Sequence, residues 1–158
     1  MKGTWTPILR QLKNTRIITY LFSDDKDIIQ KYDDYRNDRN LKPGWVVADH
    51  YCLVNDNDFI GEISIRHSLT DSLLKYGGHV GYGIRCSMWN RGYGSLILKL
   101  GLEKCKGLCI DNVLITCGDN NYGSARIIEK NGEVLENKIQ NVIDGKEVNT
   151  RRYWMNNK

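Results

Sequence analysis

The residues best suited to chemistry lie where an extended segment feeds a long amphipathic one. Tyr82-Gly83-Ile84-Arg85 is followed by a short loop and then by Arg91-Gly92-Tyr93-Gly94. A strand that ends in a glycine-rich loop and opens a helix builds an anion site. The first N–H groups of the helix have no intrahelical partner, and its dipole adds partial positive charge. Gly92 and Gly94 carry no Cβ, so a diphosphate can approach the main chain. Arg91 can add a charge-assisted contact. The loop lacks the Gly-Lys-Ser/Thr of a nucleotide triphosphate loop. It also lacks the third glycine of a dinucleotide fingerprint, because Leu96 and Ile97 follow Gly94. Arg-Gly-Tyr-Gly alone leaves two readings open: anion binding, or glycines needed for close helix–sheet packing.

The other reactive types are scattered. Five cysteines stand at 52, 86, 105, 109 and 117, with no Cys-x-x-Cys pair. They read as small buried hydrophobes in a reducing compartment, and neither a disulfide framework nor a metal site is expected. The three histidines, 50, 67 and 79, cannot be set beside a cysteine by sequence alone.

The elements that must position the glycine turn follow from hydrophobic periodicity. Arg16 to Phe22 reads as a strand. Ser23 then caps a helix with Asp24 and Asp25 in its first turn and Ile28, Tyr32 and Tyr35 on one side. Pro43-Gly44 ends that region. Tyr51–Val54 and Phe59–His67 form a hairpin, with Phe59, Gly61, Ile63, Ile65 and His67 on one face and Ile60, Glu62, Ser64 and Arg66 on the other. A strand from His79 to Arg85 precedes the long helix, Arg91 to Leu108, whose stripe is Leu98, Leu102, Cys105 and Cys109. Val113–Cys117 is a short buried strand. Asn120 or Asn121 caps a further helix ending at Asn131-Gly132. Two strands around Asp144-Gly145 close the chain. The order implies one domain over residues 1–158, a mixed α/β (α+β) sheet with hairpins first and a parallel β-α-β crossover later.

Composition bounds the functions available. A length of 158 residues, 41% hydrophobic and 27% charged, suits one globular core. No apolar run approaches the ~20 residues needed to cross a bilayer, and the N-terminus lacks a signal-peptide pattern, so a cytoplasmic protein without membrane contact is expected. The charges, 23 basic against 19 acidic, are interspersed, which argues against a nucleic-acid partner. A net charge of +4 suits a phosphorylated small ligand or serves solubility alone.

The stretch from Gly81 through Gly132 resembles the GNAT superfamily of acetyl-CoA-dependent N-acetyltransferases. Tyr76 to Arg85, Ile63 to His67 and the closing Arg152-Tyr153-Trp154 look like a bacterial branch of predicted acetyltransferases within it. The resemblance runs from about Val47 to Trp154, and the first 45 residues match weakly. The family's pyrophosphate loop reads Gln or Arg, two residues, Gly, one residue, Gly or Ala. Its glycines fall on Gly92 and Gly94, while Trp89 stands at the Gln/Arg position. The family's last helix reads Asn-x-x-Ser, three residues, Tyr-Glu-Lys-x-Gly-Phe. Asn121, Ser124, Glu129, Lys130 and Gly132 match it, with Ile128 at the Tyr and Glu133 at the Phe.

The resemblance implies a sheet whose central strands, His79–Arg85 and Val113–Cys117, splay apart to admit acetyl-CoA as co-substrate, with no metal. The pantetheine arm is expected along the main chain of Tyr82, Ile84 and Cys86. The diphosphate is expected on amides from about Met88 to Gly94, through Trp89, Arg91, Gly92 and Tyr93, with Asn121 and Ser124 touching the pantetheine or adenosine side. The implied reaction is direct attack by a primary amine on the thioester. An alkyl amine with a reference pKa of about 10.4 arrives protonated, so a base is needed. Glu62 and His79 are the first candidates, with His67 and Tyr82 behind them. The Tyr that commonly protonates the departing thiolate is replaced by Ile128. Tyr122 is then the alternative donor, or the thiolate leaves unassisted.

The expected acceptor is a small-molecule amine, with a protein or peptide amine as the alternative. The acid-rich stretch Asp24–Asp38 either attracts a cationic amine such as a polyamine or is a plain solvated face. A non-catalytic acyl-CoA-binding module is the rival reading, and a homodimer is compatible with either.

Overall fold

A computed structural model describes residues 15–19, 26–56 and 58–158. The expected helix cap at Ser23 with Asp24 and Asp25, and the strand residues after Thr19, lie outside the described residues. The elements in order are β1 (Thr15–Thr19), α1 (Lys26–Arg36), β2 (Ala48–Asn55), β3 (Asp58–Arg66), β4 (Val80–Ile84), α2 (Tyr93–Gly107), β5 (Asn112–Gly118), α3 (Tyr122–Lys130), β6 (Val134–Ile143) and β7 (Lys146–Asn156). A π-helical turn at Leu73–Gly77 precedes β4, and a 3-10 turn at Cys86–Met88 follows it.

Among the described residues, seven strands form one mixed sheet in the order β1-β2-β3-β4-β5-β7-β6. Every neighbouring pair is antiparallel except β4 and β5, which run parallel. That exception follows from the β4-α2-β5 crossover, since a parallel neighbour needs a long connection and the helix supplies it. The described elements give the mixed α/β architecture expected, and the central strands splay. Val80 with Ile115 is the register pair joining β4 to β5. His79 N–H also donates to the Leu114 carbonyl at 2.8 Å.

The core lies between one sheet face and the inner sides of α2 and α3. Ile63, Ile65, Val80, Ile97, Leu98, Leu102, Cys105, Val113, Ile115 and Ile128 are buried there. On the opposite face α1 packs against β2, where Tyr32 stacks on His50.

Two sequence expectations are corrected. Ile60 does not share a face with Glu62, because the β2–β3 register shifts between Leu53 and Val54. Val54 pairs with Phe59 and Leu53 with Gly61, so Ile60 is the extra residue of a bulge. It is fully buried while Phe59 is exposed. The cysteines are not uniformly buried either. Cys52 and Cys105 are, but Cys86 and Cys109 are exposed and Cys117 is intermediate. Cys109 falls beyond the end of α2 at a φ of 58°, so it leaves the helix stripe.

Candidate active site

Beyond Val80 and Ile115 the two strands part, and a cleft of about 440 Å³ opens. β4 contributes Tyr82, Gly83 and Ile84; the connecting loop contributes Met88, Trp89 and Asn90. Gly94 of α2 and Asn121, Gly123, Ser124 and Ile127 at the start of α3 form the far side. Gly92 turns the chain into α2 at a φ of 83°, a left-handed conformation that favours glycine. Leu96 N–H donates to the Gly92 carbonyl at 3.1 Å, so the N–H groups just before it have no partner inside the helix. The start of this 15-residue helix, its positive end, borders the cleft through Asn90 and Gly94.

The two glycines of the turn do different work. A Cβ at Gly94 would stand 2.5 Å from Ile127 Cδ1, so its missing side chain lets α2 approach α3. Gly92 supplies the turn. Asn121 caps α3 by accepting from Ser124 N–H at 3.1 Å, and it lines the cleft.

A second cavity, of about 270 Å³, lies on the face that α1 covers. Tyr32, His50, Glu62, Ser64 and Gly81 line it, and it shares Tyr82 and Gly83 with the cleft. The register explains the arrangement. Glu62 pairs with Gly83 and Ser64 with Gly81, so the β4 side of this face carries no side chain. His50 pairs with Ser64 from β2 and stacks on Tyr32 with ring centroids 4.1 Å apart.

Burial sets the charge states. Burial, reinforced by the Arg66 charge, lowers the His50 imidazole to about 4, so it is neutral at pH 7. Burial raises the Tyr82 phenol to about 12, with Ser124 opposing. The Tyr82 hydroxyl is buried beside Ser124. Glu133 is only 5% exposed, neither carboxyl oxygen has a hydrogen-bond partner among the described residues, and burial raises it to about 8.

A family model described as an acetyltransferase (GNAT) domain matches residues 9–134. The chain belongs to the GNAT acetyltransferases. The match takes in most of the N-terminal segment that the sequence resemblance left weakly covered. No curated protein matches. A ribosomal-protein-S5-alanine acetyltransferase from Vibrio fischeri has a similar structure, with a TM-score of 0.63, 17% identity and coverage of 84% of this chain and 70% of that one. The structure yncA from Salmonella typhimurium, which holds acetyl-CoA, gives a TM-score of 0.61 at 11% identity, covering 92% and 95%. RimL, a ribosomal L7/L12 alpha-N-protein acetyltransferase in complex with coenzyme A, gives 0.56 at 20% identity, covering 68% of this chain and 61% of that one. The chain thus spans about three fifths of RimL's length. At these identities the likeness is one of fold.

Within this GNAT fold the expected site residues separate. Tyr82, Ile84, Trp89, Gly94, Asn121 and Ser124 come together in the cleft, and Glu62 lies across Tyr82 and Gly83 from it. Four details differ from expectation. The Ile84 carbonyl already accepts the Trp89 indole N–H at 2.7 Å. The N–H groups of Met88 and Trp89 are spent on Arg85 and Cys86 carbonyls, so the donors begin after Trp89. Tyr93 is 3% exposed, its ring part of the core, and only its main chain can face a ligand. Arg91 and Cys86 are exposed and lie outside the cleft lining.

Two catalytic candidates fall elsewhere. His79 is buried at the head of β4, where its Nδ1 accepts from Leu114 N–H at 3.0 Å; it fastens β4 to β5 and lines neither cavity. Tyr122 is 65% exposed, lies 5.5 Å under the Arg151 guanidinium and lines a different cavity with Asp119 and Glu147. His67 is held by Asp49, its Nε2 3.0 Å from the carboxylate. Sequence reasoning missed His50, Tyr32 and Ser64. The one available signal was Asp49-His50, a polar pair breaking an apolar strand.

No helix among the described residues is long and apolar enough to cross a membrane.

Proposed function

We propose that the protein moves the acetyl group of acetyl-CoA to a primary amine of a small molecule by direct attack. The observation that carries this reading is the junction at Tyr82 and Gly83. There the cleft between β4 and α3 shares its wall with the cavity that holds Glu62. The fit to coenzyme A rests on the cleft's size, on the left-handed Gly92 turn and on the helix-start donors beyond it.

Acetyl-CoA supplies the acetyl group as a thioester. The main-chain N–H groups from residue 90 onward hold the diphosphate, and the amide nitrogen of Asn121 faces the same ligand. Glu62 takes the proton that an alkyl ammonium must lose before it attacks. The amine nitrogen gains the acetyl carbon and gives up one proton, and the thiolate sulfur takes one back. In this reading Tyr82, whose buried hydroxyl lies near Ser124 of the cleft, supplies that second proton. It takes the part for which Ile128, fully buried in the core, has no hydroxyl.

The test is thiol release from acetyl-CoA with purified protein and a panel of amines. Amine-dependent release supports the reading. Saturable coenzyme A binding without release on any amine, protein amines included, would instead favour a binding module.

A further inference from the structure

We propose that the acceptor carries a carboxylate close to its amine and an apolar, ring-sized body, the pattern of an aromatic amino acid, with Arg66 as the carboxylate's partner. This rests on the acetyl-transfer reading and deepens it.

A third cavity, of about 290 Å³, shares His50 and Ser64 with the one that holds Glu62, so the two adjoin on one sheet face. Its walls include Tyr35, Trp45 and Tyr76, and its charged member is Arg66. Trp45 and Tyr76 are 48% and 38% exposed, large aromatics turned to the cavity and to solvent together. Tyr35 packs against Trp45 at 5.1 Å and against His50 at 5.7 Å, which fixes the wall.

Arg66 is half-buried and forms no ion pair with any described residue; Nη1 donates to the carbonyls of Gly77 and Gly78 at 3.2 and 3.1 Å. Those two bonds orient the guanidinium. Its Nε and Nη2 donors have no partner among the described residues. A cation taken partly out of water without an anion is costly, and a planar fork of free donors matches a carboxylate. Nη2 lies 3.8 Å from where a Gly81 Cβ would stand, so the guanidinium borders the gap that Gly81 leaves in the floor.

Spacing agrees. The Ser64–Gly81 pair beside the guanidinium and the Glu62–Gly83 pair beside the carboxylate are two residues apart on β3. That is about 7 Å along the strand. An amino acid with one hydrogen bond at each end spans such a gap. A polyamine does not suit the adjoining cavities, because its second ammonium would meet Arg66 with like charge.

The experiment measures kcat/KM for thiol release with phenylalanine, phenethylamine and spermidine, and coenzyme A binding separately. Phenylalanine is expected to exceed phenethylamine by at least about tenfold, the worth of a charge-assisted pair. Arg66→Gln should collapse that ratio toward one while coenzyme A affinity persists. Arg66→Lys keeps a cation without the fork and should fall between. Equal or better turnover of phenethylamine or spermidine overturns the inference and leaves acetyl transfer standing. Coenzyme A binding with no release on any of the three overturns the inference as well. Failure to bind coenzyme A at all overturns the underlying reading itself.

Discussion

The Trp89 indole N–H donates to the Ile84 carbonyl at 2.7 Å, across the mouth of the cleft. The bond closes a main-chain acceptor on the β4 edge, where an added strand-like ligand would pair. It also explains how a tryptophan is accommodated where the family pattern carries Gln or Arg. The ring is 62% exposed, held at its nitrogen while its face lines the cavity.

A ligand entering the cleft must therefore meet this ring. Coenzyme A is expected to change the tryptophan emission of the protein. Trp89→Phe should remove that change while affinity shifts by less than about tenfold, since one net hydrogen bond is at stake. The same emission change in the variant would show that the ligand binds elsewhere.

Glu62 and Tyr82 stand on neighbouring strands and on opposite faces of the sheet, and are expected to fail differently. Glu62→Gln should lower kcat by at least about a hundredfold with coenzyme A affinity kept, and should remove the acidic limb of the pH–rate profile. Tyr82→Phe keeps the ring and the packing. It should lower kcat without changing the acidic limb. An unaltered kcat in steady-state assays would remove either residue from the chemistry.

Glu133 makes a separate statement about stability. It occupies a site where the family pattern has Phe, and burial raises its carboxyl from an ordinary 4.5 to about 8. Below the lower value both folded and unfolded chains are protonated there, and its burial draws no penalty from ionisation. As pH rises toward the upper value, the unfolded chain releases its proton and the folded chain retains it, so stability falls. Thermal melts at several pH values should show Glu133→Gln gaining on the parent protein as pH rises from about 5 to about 8. Parallel melting curves would contradict this.

Much of the fold was legible because it is written in local pattern. Each described strand and helix lies within a few residues of where alternation or a helical stripe put it, and Asn121 caps its helix as its type suggests. What escaped depends on pairing between distant segments. The bulge that buries Ile60 comes from the β2–β3 register, which no single strand encodes. Tyr122 and Ser124 are two positions apart, hence about 200° around a helix, so only one can face the cleft. That side belongs to Ser124. His79 looked reactive by type, yet its ring nitrogen is consumed by Leu114. The adjoining cavities that hold Glu62 and Arg66 depend on α1 residues set against the sheet and on Gly81 and Gly83 of β4, a placement no single segment encodes.

The grip of the α2 turn on a diphosphate is tested most directly by calorimetric titration with coenzyme A, comparing the parent protein with Asn90→Asp. Asn90 lines the cleft at a φ of 58°, a conformation Asp also tolerates, so the substitution adds negative charge with little cost to the turn. One saturable site per chain is expected in the parent protein, weakened at least about tenfold in the variant. A parent protein that shows no saturable site, or a variant that binds equally well, would contradict the account.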